Sequence, residues 1–239
     1  MSIKKWIIPL TLFIPSLLFG GVYPQAGIEF FLGKNAYKSF SPWMGVRWGV
    51  SGNSSVIFKT YFHNVSFDYV SDEGTTDAVK ANITNFTLVY YYQKNKLDFY
   101  VATSYLGGTR SYFGDRSYHG TVLDTGIEYK ISKVFVLEAG IYLLDETSVL
   151  WFPDEEPRNI VTSSLKGGVK IKLAKPVTLN ANAYFLNNSD DVSAFSYSIG
   201  LIIIPFEPAY LTIYYWKYNE NTEFRFRGNY LSLGLNFYY

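Results

Sequence analysis

The chain has no cysteine, which excludes disulfides, thiolate metal sites, cysteine nucleophiles and acylation at a lipobox cysteine. Histidine occurs twice, as His63 and His119. Neither lies in the arrangement of Ser, His and carboxylate that activates a hydrolase nucleophile, so both read as incidental polar residues and no enzyme is expected. An excess of one charge is missing too: 21 Lys and Arg stand against 20 Asp and Glu, spread along 239 residues for a net charge of +1. Without a basic stripe, no nucleic-acid partner is expected. No turn resembles a nucleotide site. The acids Asp154, Glu155 and Glu156 read as a solvated loop tip, so no cofactor or metal is implied. Past the amino terminus no segment reaches the ~18 uncharged apolar residues from which a spanning helix starts.

Aromatic residues are abundant. They make up 19% of the chain, with 22 Tyr and 19 Phe, within a hydrophobic share of 48%. This favours β structure, and it would supply the aromatic girdles that membrane-crossing strands carry at two interfaces, although a soluble sandwich could also be Tyr-rich. Lys4 and Lys5 precede an almost continuously apolar stretch at 6–19, which reads as an export signal. The expected organisation is a cleaved signal peptide over 1–20 and a single barrel domain over 21–239.

Alternation of apolar with small or polar side chains recurs down the whole chain, the period of a strand with two unlike faces. Twelve strands are predicted, at about 26–32, 42–50, 55–68, 81–92, 97–106, 121–129, 135–143, 160–173, 177–185, 192–204, 209–218 and 224–239. Six long connections alternate with five short ones. That asymmetry is expected when long loops lie outside, tight turns face the periplasm and both termini lie inside. Strands four, ten and eleven alternate less cleanly, which leaves ten or fourteen strands as alternatives.

One face of these strands carries Glu29, Arg47, Lys59, Asp98, Asp124, Glu128, Glu138, Lys166 and Lys170. A Lys or Arg facing lipid at mid-membrane costs roughly 2–4 kcal/mol, so this face is expected to line the interior. Its mixed signs read first as salt-bridged wall packing and second as a hydrated path. The inward register also carries Tyr61, Tyr100, Tyr142, Tyr184, Tyr210, Tyr214 and Trp216, which argue against a wide pore. Lys34, Lys38, Arg110, Arg116 and Arg158 fall in predicted long loops.

The export signal, the alternating strands and the aromatic carboxyl terminus together resemble bacterial outer-membrane β-barrel proteins over about residues 24–239. The segment Gly126-Ile-Glu-Tyr-Lys-Ile-Ser-Lys-Val-Phe-Val-Leu-Glu-Ala-Gly140 resembles the strand, periplasmic turn and strand of porin-like barrel domains. Gly234-Leu-Asn-Phe-Tyr-Tyr239 resembles the terminal signal read by the barrel assembly machinery, with Tyr where Phe is commoner. The resemblance implies an all-β, transmembrane, antiparallel up-and-down barrel in the bacterial outer membrane, with membrane lipid and the assembly machinery as partners. It also implies neither an amino-terminal plug nor a periplasmic domain. The expected function is a small monomeric barrel passing ions or small polar solutes through a charged lumen. The alternative is a closed structural or surface-binding barrel whose loops meet an external partner through Tyr112, Phe113, Trp151 and Phe152.

Overall fold

A computed structural model describes residues 21–70, 76–111, 115–147, 157–220 and 227–238, and among these it contains twelve strands and no helix. The strands are β1 Val22–Gly33, β2 Lys38–Ser51, β3 Ser54–Val70, β4 Thr76–Lys94, β5 Leu97–Ser111, β6 Asp115–Lys130, β7 Phe135–Thr147, β8 Asn159–Ala174, β9 Val177–Asn188, β10 Ser193–Phe206, β11 Ala209–Tyr218 and β12 Gly228–Tyr238. Each pairs antiparallel with its chain neighbour, and β1 pairs with β12, as in Glu29 opposite Gly234, to close the barrel. Closure gives every strand two partners, so no strand edge is left without hydrogen bonds in a medium that supplies none. The fold is therefore the all-β, antiparallel twelve-stranded barrel that the periodicity predicts. The proposed signal peptide lies outside the described residues.

The outer surface is apolar. Met44, Trp48, Leu165 and Phe185 project from the outward register, each more than half exposed, alongside partly exposed Phe30, Phe58, Leu88, Ile127, Ile199 and Leu233. Among the described side chains, charges on this register stand only towards strand ends, at Lys38, Asp68, Lys80, Lys94, Asp145 and Lys217. A belt without charge, bounded by charged ends, matches the hydrocarbon layer of a bilayer and its polar margins. Aromatic pairs on it, Phe30 with Phe40 and Phe185 with Phe195, lie 5.0 Å apart between centroids.

Several strands run farther than predicted. The segment 107–119, expected as a Gly-rich polar loop, is strand except at 112–114, which lie outside the described residues. Its glycines signal close backbone approach here: a Cβ on Gly108 would collide with the backbone of Asn82 and Ile83 on β4. Arg110 thereby sits on the inward register of β5 and is 1% exposed, inside the barrel instead of in a solvated loop. His119 belongs to β6, exposed, with Nδ1 3.3 Å from the Tyr105 hydroxyl. At the other end of the chain, β12 is described from Gly228, and the predicted start at 224 lies outside the described residues.

Candidate functional site

The interior is divided into three levels, and each has its own chemistry. At the short-turn end lies a cavity of about 960 Å³, lined by Gln25, Arg47, Tyr91, Lys170, Tyr210 and Tyr238 with the β2–β3 turn at Gly52 and Asn53. Above it, three smaller cavities of about 240, 340 and 380 Å³ each touch Glu29. The smallest shares Thr212, Asn236 and Tyr238 with the large one. Glu29 thus marks the middle of the lumen, and cavities of mixed polar and apolar lining adjoin one another from the short turns up to it.

The predicted interior charges gather at these two levels, mostly as pairs. Asp124 and Lys166 are bonded to one another, and Lys166 also reaches the Tyr100 hydroxyl, with its Nζ 4.7 Å from the Tyr100 ring centroid. They stand on β6 and β8, two strands apart. The contact passes over Gly140 of β7, where a Cβ would strike the Lys166 side chain. Lys170 donates to Glu128 at 2.7 Å and lies 3.5 Å from Glu138. Lys59 extends beneath Trp43, its Nζ 4.7 Å from the ring centroid, and lines the same cavities as Glu29. Asp98 is 4% exposed and accepts from Lys130 at 2.8 Å and from the Tyr91 hydroxyl at 2.9 Å, so it belongs to the wall. Arg47 differs. Its Nε donates to Ser55 Oγ at 3.1 Å, and among the described residues no carboxylate pairs with it.

Trp43 shows how the wall is locked. It sits on β2, and its indole Nε1 donates to Asn236 Oδ1 of β12 at 3.1 Å, across the intervening β1. Gly27 is the β1 residue in register with both. A Cβ there would collide with the indole nitrogen, the Leu235 carbonyl and the Asn236 side chain. Replacing Gly27 by Val is expected to destabilise the folded barrel by about 1–3 kcal/mol, as overpacking does, and to separate Trp43 from Asn236. Urea unfolding followed by tryptophan fluorescence would register it as a lower midpoint.

The long-loop end is filled mainly by apolar side chains. Phe31, Val65, Phe67, Val79, Ile83, Leu106, Leu144 and Tyr230 are buried there in one apolar cluster. Tyr37 joins it from the β1–β2 loop, 1% exposed, stacked on Phe67 at 6.4 Å and edge-on to Tyr230 at 5.1 Å. Tyr118 donates to Glu146 at 2.7 Å within the same layer. Predicting the charged face left out this layer, together with Trp43, Tyr91 and Lys130. Inward parity alone would have found Phe31 and Trp43, because each alternates with the outward residues of its strand. Tyr37 is a loop residue, and no periodicity marks it. The four predicted loop contacts, Tyr112, Phe113, Trp151 and Phe152, lie outside the described residues.

No family model matches the sequence, and no curated protein matches it significantly. Solved structures do match in shape. An outer membrane channel from Pseudomonas putida F1 is 9% identical with a TM-score of 0.60, covering 92% of this chain and 96% of that one. The KdgM porin in complex with disordered oligogalacturonate is 8% identical with a TM-score of 0.55, covering 89% and 98%. The translocator domain of the autotransporter NalP from Neisseria meningitidis is 9% identical with a TM-score of 0.52, covering 91% and 88%. At such identities the likeness is one of fold, and the fold is that of bacterial outer-membrane β-barrel proteins.

Proposed function

We propose that this chain is an outer-membrane channel through which ions or small polar solutes diffuse, exported by the signal at 1–20 and needing no energy source. The observation that carries this reading is the series of cavities that adjoin from the short turns to Glu29, with charged and hydroxylated side chains in the lining of each. A barrel serving only as a scaffold has no need of a charged interior, since ion pairs add little stability over apolar packing of the same volume. Channels and porins among proteins of this shape support the reading.

The apolar layer at the long-loop end favours a second reading, a barrel closed at rest. The two are reconciled if the layer is a hydrophobic constriction that conducts only when it parts and wets. The test is single-channel recording of the signal-free chain refolded into a planar bilayer. Discrete steps of small unit size are expected. Silence from both the wild type and a variant with its mouth opened at Tyr37, with folding verified by heat-modifiable gel mobility, would leave the closed barrel as the better reading.

A further inference from the structure

We propose that the short-turn end of the lumen is an anion filter built on Arg47, so that small anions pass in preference to cations. The inference rests on the channel reading above and adds its selectivity. Net charge is close to zero, +1 over the whole chain, and only the structure shows which of these charges line the vestibule. Among the described residues, the large cavity at this end is lined by two cations, Arg47 and Lys170, and by no carboxylate. The nearby acids are already engaged: Asp98 by Lys130, and Glu128 and Glu138 by Lys170. Among the described residues, Arg47 is the vestibule's cation that no carboxylate pairs with. Its Nε is fixed by Ser55, and the rest of its guanidinium remains to meet a solute. Around it, the hydroxyls of Tyr210 and Tyr238 line the same cavity and could donate to an anion.

The rim has the same sign. At the short turns stand Lys94, Lys96, Lys133 and Lys175 against a single acid, Glu207, with Lys130 already paired to Asp98. Cations clustered round a low-dielectric opening raise the local concentration of anions, and rings of Arg and Lys select anions in pores. Farther in, Glu29 and Asp124 share their cavities with Lys59 and Lys166, so the middle of the lumen carries both signs and sets no preference. Selection therefore falls to the vestibule.

The test is the reversal potential of the refolded signal-free chain in a potassium chloride gradient, with Arg47→Gln, Arg47→Glu and, for the diffuse rim charge, Lys175→Gln. The wild type is expected to prefer chloride. Removing one charge within a few ångströms of the ion path should lower the chloride-to-potassium permeability ratio about threefold in Arg47→Gln. Arg47→Glu should carry the ratio to the cation side, while Lys175→Gln should leave it close to wild type. A cation-preferring wild type, or an Arg47→Glu channel with unchanged reversal potential, would overturn the filter and leave the channel reading standing. No steps from any of the four proteins or from Tyr37→Ala, all shown to be folded, would remove both.

Discussion

Replacing Tyr37 by alanine is expected to raise the unit conductance roughly threefold to tenfold, because a hydrophobic constriction blocks ions while dewetted and passes them once it wets. The reason lies in where this ring comes from. The other members of the apolar layer are wall residues, held by strand ladders on both sides, whereas Tyr37 enters from the four-residue connection between β1 and β2. That loop is pinned by Gly33 N to Tyr37 O at 2.9 Å and by Asp68 N to Asn35 O at 2.8 Å, with Asn35 and Ala36 both at positive φ. Truncation at Tyr37 removes the ring that touches Phe67 and Tyr230 and leaves every ladder in place. Losing a buried aromatic side chain costs about 3–5 kcal/mol, so the variant should be less resistant to urea while still forming a barrel. Tyr37→Phe keeps the ring and should conduct as the wild type does. If a folded Tyr37→Ala channel shows the wild-type step size, the apolar layer is not the barrier, and the mid-lumen aromatics become the candidates.

The legibility of this chain follows from the physics of its strands. Alternation with period two is strict wherever one face meets lipid and the other does not, because a shift of one residue would turn the charged face outward. Glu29, Lys59, Lys166 and Lys170 could therefore be assigned to one face from sequence alone, and the structure places their side chains against interior cavities. What alternation does not record is height along the barrel. Strand tilt sets which residues of distant strands meet at one level, and that is a property of the closed sheet. The pairing of Asp124 with Lys166 over Gly140 belongs to this class, as does the absence, among the described residues, of a carboxylate paired with Arg47. The apolar outer layer was hidden for another reason. Phe31, Val65 and Leu106 are apolar residues facing inward, contrary to the polar-in, apolar-out rule that makes the other positions readable. Arg110 was misplaced because Gly107 and Gly108 look like loop residues, whereas Gly108 permits tight strand packing on β4.

The ion pair between Asp124 and Lys166 makes the second large prediction. Lys166 is 10% exposed at its side chain and Asp124 30%, so the pair sits in the lumen with limited access to water. Lys166→Glu would set a second carboxylate against Asp124 and remove the cation from beside the Tyr100 ring. Removing one partner of a buried pair costs about 3–5 kcal/mol. The residual exposure of Asp124 allows some rescue by water and screening, which brings the expected loss to about 2–3 kcal/mol. It should appear as a lower urea midpoint of the folded barrel in detergent micelles. Exchanging the charges, with Asp124→Lys in the same chain as Lys166→Glu, should recover at least half of the loss, and that coupling is the signature of a direct interaction. Lys166→Met should fall between wild type and Lys166→Glu, since it leaves one uncompensated carboxylate in place of two. An exchange variant no more stable than Lys166→Glu would mean that the cation is held by Tyr100 and the cavity wall, with Asp124 incidental. The mid-lumen charges would then be packing elements of the wall, and conduction would have to be argued from the vestibule alone.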